Sequence, residues 1–566
     1  MGASRKAMIA LGALAAALPA QALETAQRGD SAGRAPTCYS GPGGTAGAGE
    51  ERPPVLISGL GTPTGLVPDT ENQAAKNWFE QGLLLVWAYD EAEAIRAFRM
   101  AQSLDDDCAL CWWGEALARS PTLNLQPPNV DLNAAGAAVS QALQRAGRPR
   151  SRLGPLGRAL IDAMRVRAPD AGSDFDYEGY VQAMTRVARD FPESDAALTL
   201  AADAEIVRWS NNQAPLEGAR GWLEKVLVGR NPNYSGAIHF YIHLGDIIEQ
   251  PAIVVPYADR LASLAPAATH LIHMPSHTFY STSAFPKAVA ANRQAIAAYL
   301  KYEELGPAVS GYRRYLFAHD HHYAIQSALM YGADSDAFAL ARDFERRFPA
   351  QDPLFRIRPA HFAAPWYVYA RHEGDDALRM GEPMLGYSDA SRALSRMMWH
   401  YARGEVYARR QDATRAAEEA SGIAGLLAGP PGRALDPESE ALALIAQHVL
   451  EGRAAMLRGK PAEAAVAYRA AMNAQSNPPL AFDPPPFWYG TRRSLAAAML
   501  QGGDPEGAKR QLGALFATWP DDPLGLLVYS RAEAAQGHAR EAAEYLARAR
   551  RLWAGGDVDR MPLALI

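Results

Sequence analysis

Two short blocks gather five of the 13 histidines in this chain: AIHFYIHLGD holds His239 and His243, and THLIHMPSH holds His270, His273 and His277. Imidazole is a common nitrogen ligand for zinc, copper, nickel and iron, and two histidines at i and i+4 offer both rings to one ion. His239/His243 and His273/His277 each have that spacing, so between them they supply up to four ligands. Asp246, three residues beyond His243, is placed to join as a carboxylate ligand or as an acceptor that fixes a ring tautomer. His319 and His322 complete a second site or a larger one. Copper, zinc or iron suits this donor type, and no H-E-x-x-H accompanies it. A competing reading dispenses with metal: the same histidines, with Tyr241, Tyr280, Arg313 and Arg314, hold an anionic or aromatic ligand.

A second chemical candidate is the C-x-x-C formed by Cys108 and Cys111 in DDDCALCWWGEALA, at the start of a helical pattern. A helix N-terminus acidifies thiols, which suits redox or metal chemistry. A plain disulfide across the turn is the other reading. Trp112 follows where haem attachment requires histidine. Phosphate-binding glycine loops, dinucleotide fingerprints and G-x-S-x-G elbows are absent from the sequence.

The elements that position these residues are legible in the spacing. From Glu71 onward the chain runs in Ala- and Leu-rich segments of helical period, broken by short Gly, Pro or Asp turns, with almost no strand signal. Trp78 and Gly82 lie four apart on one helix, Ala94, Phe98 and Ala101 lie on the next, and Trp112 follows Trp78 by 34 residues. The frame returns as Gly452, Gly459, Ala464, Tyr468 and Ala471, and again as Gly537, Ala542, Leu546 and Ala549. Small residues let two helices approach, a large side chain fills the gap beside them, and each pair leaves an apolar face for the next. The intervals from His239 to His273 and from His243 to His277 are also 34.

This pattern resembles the tetratricopeptide repeat, with an aromatic residue, a Gly four positions on, then Ala, a large residue and Ala at positions 20, 24 and 27. The fold expected is an all-α tetratricopeptide superhelix, an α-solenoid of roughly nine helix pairs. With Val254, Ala258 and Leu261 at 20, 24 and 27, His239 and His243 take positions 5 and 9 of a first helix. His273 and His277 take the same positions one repeat later, with His270 at position 2. Read from Ala337, Ala341 and Phe344, His319 is at position 2 and His322 at position 5. Positions 2, 5 and 9 share one helix face. The resemblance implies that this face lines the concave groove that holds ligand. His361, His372 and His400 fall out of register, and His448 and His538 read as packing or surface residues.

The organisation expected is a signal peptide over 1–22, a Gly/Pro-rich linker or arm over 23–70, repeats with the C-x-x-C over 71–230, histidine-rich repeats over 231–350, and further repeats over 351–566. Arg5 and Lys6 precede a short apolar run that ends in the small-residue pattern Ala20-Gln21-Ala22, too short for a membrane span. The mature chain is therefore expected to be periplasmic or secreted. Cys38 stands alone in the linker. A net charge of −6, from 56 basic and 62 acidic residues mixed along the chain, gives no reason to expect nucleic acid. The blocks CALCWWGEALA, HFYIH, HLIHMPSH, HDHHY and DPPPFW together resemble a group of exported bacterial tetratricopeptide proteins. The function expected is a binding or scaffold protein with a histidine-lined groove that holds a transition metal and takes a protein, peptide or small-molecule partner. The alternatives are a metal-dependent, oxidative enzyme with Asp246, Tyr241 or Tyr280 as proton partners, and a metal-free peptide scaffold.

Overall fold

A computed structural model describes residues 53–127, 130–168, 174–216, 218–305, 311–349, 352, 354, 358–372, 374–383, 386, 388–476 and 485–566. The expected signal peptide and Cys38 lie outside these residues. The described residues form an all-α superhelix of antiparallel pairs, in which each helix packs chiefly on its neighbours in sequence.

The first pairs are α1 (Gln73–Trp87) with α2 (Glu91–Leu104), α3 (Ala109–Ala118) with α4 (Leu132–Ala146), α5 (Pro155–Arg167) with α6 (Tyr177–Asp190), and α7 (Asp195–Asn212) with α8 (Ala219–Leu227). The histidine-bearing pairs follow: α9 (Ser235–Ile247) with α10 (Val255–Leu264), α11 (Thr269–His273) and α12 (Pro275–Ser281) with α13 (Phe285–Leu305), and α14 (Gly311–Met330) with α15 (Asp334–Arg347). Then come α16 (Ala364–Arg371), α17 (Asp376–Arg379), α18 (Asp389–Arg409) with α19 (Ala413–Ala428), the short α20 (Pro430–Arg433), and α21 (Pro437–Leu457) with α22 (Pro461–Gln475). The series ends with α23 (Arg492–Gln501) on α24 (Pro505–Thr518) and α25 (Pro523–Ala535) on α26 (Ala539–Leu552). It runs past the roughly nine pairs placed on the sequence, because some pairs lack the glycine that marks a repeat. One of them, α7, packs through Ala197, Ala201 and Ala204 instead.

Side-chain caps and first-turn prolines set the helix starts. Asn72 Oδ1 accepts from the amides of Ala74 and Ala75 at the head of α1, and Asp522 Oδ1 accepts from Gly525 N at the head of α25. The small-and-large rule is visible where Phe98 of α2 fills notches in α1 and α3. A β-carbon on Gly82 or Gly114 would stand 2.7 or 2.2 Å from its ring. Tyr468 sits on Gly452 in the same way, at 2.4 Å. Cys108 caps α3 and is joined to Cys111 by a disulfide, with the two Cα atoms 5.4 Å apart. Asp69 accepts from the amides of Ala109 and Leu110 at the same terminus.

Of the stretch expected as linker or arm, the part from residue 53 is an arm packed on the helices. Its Leu60 and Leu66 are buried. Ala267 N donates to Gly59 O (2.9 Å), Ser235 N to Thr62 Oγ1 (3.0 Å) and Tyr234 OH to Thr64 O (2.9 Å), so the arm ties the heads of α9 and α11 together. At the other end of the histidine repeats, the described part of the Pro-rich segment, residues 485–490, enters the interior, where Phe487, Trp488 and Tyr489 are buried. It wedges between α14, α16 and α18 through hydrogen bonds from Gln326 and Tyr367 and a ring contact with Tyr401. No helix among the described residues is long and apolar enough to cross a membrane.

Candidate metal centre

Turns of α9 carry His239 and His243, and turns of α11 and α12 carry His273 and His277. Pro275 interrupts the second pair, but Met274 between the two helices keeps right-handed helical angles (φ −50°, ψ −38°), so the i, i+4 geometry survives. His239 Nε2 lies 3.0 Å from His243 Nε2 and 3.2 Å from His270 Nε2. His273 Nε2 lies 2.9 Å from His277 Nε2 and 3.1 Å from His319 Nε2. The six histidines thus form two triads of one design: positions 5 and 9 of one repeat with position 2 of the next. Ring centroids in the first triad are 4.7, 4.9 and 6.2 Å apart, and in the second 4.9, 4.7 and 6.4 Å. The triads adjoin, with His243 to His277 at 6.1 Å and His270 to His273 at 6.0 Å.

The outer nitrogens fix which ring atoms face inward. His239 Nδ1 is 2.6 Å from Trp87 O, an atom that only accepts, so Nδ1 carries the proton and Nε2 presents a lone pair. His277 Nδ1 faces Asp246 Oδ2 at 3.1 Å. His273 Nδ1 faces Asn292 Oδ1 at 2.6 Å and Asp320 Oδ1 at 3.1 Å. Asn292 Nδ2 donates to Ala288 O (2.9 Å), which turns its carbonyl oxygen toward the ring. Asp246 is therefore an acceptor behind a ring. In the second triad the neutral forms of His273 and His277 aim two lone pairs at each other across 2.9 Å. Leaving them unpaired costs about 1–3 kcal/mol each; a shared cation removes the conflict. An ion about 2.0–2.1 Å from each nitrogen needs nitrogens roughly 3.3–3.6 Å apart, close to what both triads offer. In each triad the ligand atoms all lie within 4.8 Å of one another.

None of the seven expected histidines is more than 4% exposed, so the helix face expected to line the concave groove is buried. Tyrosine rings not singled out in the sequence wall both triads. Tyr89, at the turn between α1 and α2, has φ +51° and sets its ring 4.7 Å from His239 and 5.7 Å from His243. Tyr323, one residue past His322, lies 5.3–5.6 Å from His277, His273 and His319. Tyr280 stands one ring further out, 5.5 Å from Tyr323, and its hydroxyl donates to Trp488 O at 3.4 Å. Tyr241 does not join the centre. Two residues from His239 it falls on the opposite helix face, and its hydroxyl donates to Glu224 Oε1 at 2.8 Å. Arg313 pairs with Asp90 and Arg314 with Asp352, outside both triads. Burial first, and neighbouring positive groups second, push His239, His243, His270, His319 and His361 well below the usual imidazole pKa. They are neutral near pH 7, the form that binds metal.

His322 is in neither triad. Its Nδ1 lies 2.8 Å from Nδ1 of His361, which the sequence register sets aside. His361 follows His319 by 42 residues instead of 34, because extra chain precedes the 3₁₀ turn Pro359–Ala363 that carries it. Of the other five histidines, His321 is buried, with Nδ1 2.7 Å from Phe317 O and Nε2 3.0 Å from Asp343 Oδ2, while His372, His400, His448 and His538 are partly or fully exposed and pair with Asp376, Glu419, Glu451 and Glu533.

No protein-family model matches this chain, and no curated protein does. Among solved structures it is similar to the human IFIT1 dimer with PPP-AAAA, at 13% identity and a TM-score of 0.29, covering 86% of this chain and 92% of that one. It is also similar to the hetero-tetramer Cut9-Hcn1 of the APC/C (12% identity, TM-score 0.24, 84% and 90% covered) and to the tetratricopeptide domain of P58(IPK) (12%, 0.21, 84% and 98%).

Proposed function

We propose that this chain is an exported repeat protein of the bacterial group its sequence blocks resemble, and that each histidine triad holds a transition-metal ion in the service of binding or assembly with a protein or peptide partner. The observation that carries the reading is the convergence of three buried Nε2 atoms in each triad, with Trp87 O, Asn292 and Asp246 facing the outer nitrogens of His239, His273 and His277. Six imidazoles with no ligating carboxylate or thiolate suit copper or zinc best, with iron next, and do not suit magnesium or calcium. The outer acceptors would orient the rings of His239, His273 and His277 and raise their basicity.

A second reading, a metal-dependent enzyme, draws on the ligand count. Three protein ligands are the catalytic pattern for zinc, whereas structural sites use four. Tyr89 and Tyr323 would then stand beside the remaining coordination position.

Elemental analysis after loading with Cu²⁺ or Zn²⁺ and gel filtration tests the proposal. Wild-type protein should retain both triad ions, and His243→Ala and His277→Ala should each lose one. Absence of bound metal above background in the wild type would overturn it.

A further inference from the structure

The two triads are not isolated from each other. The ring centroids of His243 and His277 are 6.1 Å apart and those of His270 and His273 6.0 Å, although each of these pairs takes one ring from either triad. Those gaps are no wider than the longest within a triad, 6.2 Å from His243 to His270 and 6.4 Å from His277 to His319. Six buried imidazoles therefore make one cluster with two points of convergence, and ions held at both points are neighbours.

Charge narrows the choice of metal. Two carboxylates face the rings from behind, Asp320 at 3.1 Å from His273 Nδ1 and Asp246 at 3.1 Å from His277 Nδ1. Arg313 and Arg358 are already paired, with Asp90 and Glu438. Two monovalent ions on neutral imidazoles are balanced by Asp246 and Asp320. Two divalent ions leave positive charge uncompensated in a buried site, which is costly unless an anion joins them. Of copper, zinc and iron, copper is the metal with a monovalent state, and imidazole suits it.

Access limits the size of what can join the ions. A cavity of about 10 Å³, room for one water-sized molecule, is lined by the partly exposed Asp90 and Thr269 and by the buried Leu60, Ala88, Arg313 and His270. It leads toward a ring of the first triad, and Nδ1 of that ring has no hydrogen-bond partner to anchor it from behind. A diatomic molecule fits such a path, and an organic substrate does not.

We infer that the six histidines form one binuclear copper centre that takes up dioxygen between its two ions. This rests on the reading of the triads as metal sites. Each Cu⁺ gives one electron to dioxygen, the O–O π bond is lost, the O–O single bond stays, and no proton moves. The product pairs two Cu²⁺ with a doubly negative diatomic, so Asp246 and Asp320 balance it as they balance the reduced pair. The Tyr89 ring against His239 and the Tyr323 ring against His273 help to keep water from the centre.

For the test, protein is loaded with Cu⁺ under argon, freed of excess metal, checked for folding by circular dichroism and exposed to a measured amount of dioxygen. The wild type should hold two coppers per chain, take up one dioxygen per two coppers and stay silent in EPR, because two bridged Cu²⁺ spins pair. His243→Ala and His277→Ala should each hold one copper, lose about nine-tenths or more of the uptake, and give one spin per copper after oxidation with ferricyanide. A wild type that holds two coppers but takes up no dioxygen, or gives two spins per chain after exposure, would overturn the centre whether or not the variants fold. A folded single-copper variant with wild-type uptake would do the same. A wild type that retains fewer than two coppers would instead remove the triad reading beneath it.

Discussion

Six of the eight histidines of the 231–350 repeats meet one another in the interior, whereas those near the C-terminal end meet carboxylates at the surface. His448 on α21 pairs with Glu451 at 2.8 Å and His538 with Glu533 at 2.6 Å, in the same kind of helix pair that carries His239 and His243 on α9. Residue type and fold are therefore common to both regions, and register separates them. Positions 2, 5 and 9 of a first helix face the adjacent first helix, so a histidine there meets the histidines of the next repeat. A histidine displaced from that face meets solvent or a neighbouring acid.

The largest expected effect falls on the central region alone. At a free ion concentration a hundredfold above Kd, each triad ion should stabilise the fold by about 2.7 kcal/mol, read as a rise in Tm that a chelator reverses. His273→Ala should abolish the contribution of the second triad and also leave Asn292 and Asp320 without their ring partner. An unchanged Tm on loading would break the comparison.

Packing in the N-terminal pairs comes next. In Gly114→Ala the new methyl would stand 2.2 Å from the Phe98 ring, closer than any relaxed contact. A loss of about 1–3 kcal/mol in denaturant unfolding is expected, with metal content unchanged. A neutral substitution would show that the notch is not what fixes the spacing of α1, α2 and α3.

A pH effect follows from Glu91 at the head of α2, whose pKa burial pushes up to about 8, with Asp90 and Asp203 adding to the rise. The folded state holds its proton where the unfolded chain, near 4.5, has released it. Its contribution is thus fully present below about pH 4.5 and is lost as pH rises toward 8, by about 1.4 kcal/mol per pH unit. Glu91→Gln fixes the neutral form. It should leave stability near pH 4.5 unchanged and raise it at pH 8, measured by urea unfolding at both values. Parallel pH profiles for the two proteins would refute the assignment.

The fold was legible because glycine, aromatic and alanine recur at fixed intervals, and the shared histidine face because 34-residue spacing repeats it; the grouping was not, since the sequence joins His239/His243 to His273/His277 and His319 to His322, where the structure joins each i, i+4 pair to position 2 of the next repeat. What escaped the sequence depends on contacts between distant segments. Tyr89 reaches the first triad from a turn 150 residues upstream of His239. Asn292 approaches from the second helix of its own pair, and no face-by-face reading of first helices includes it. His361 was hidden by inserted chain that shifts the count while the packing stays in step. The burial of the histidine face escaped the sequence for the same reason: the arm and the Pro485–Gly490 segment, which pack on the histidine repeats, have no helical period to announce where they pack.

The smallest effect tests the comparison most directly. His448 is partly exposed, and its hydrogen-bond partner Glu451 is three residues away on the same helix, where side-chain pairs contribute about 0.2–0.5 kcal/mol. His448→Ala also improves helix propensity by a few tenths of a kcal/mol. The two terms nearly cancel, so stability should change by less than about 0.5 kcal/mol. Metal retention after loading should equal that of the wild type. If His448→Ala lost an ion while His277→Ala kept both, position on the helix face would not be what distinguishes the two regions, and a metal site would have to be sought on the surface of α21.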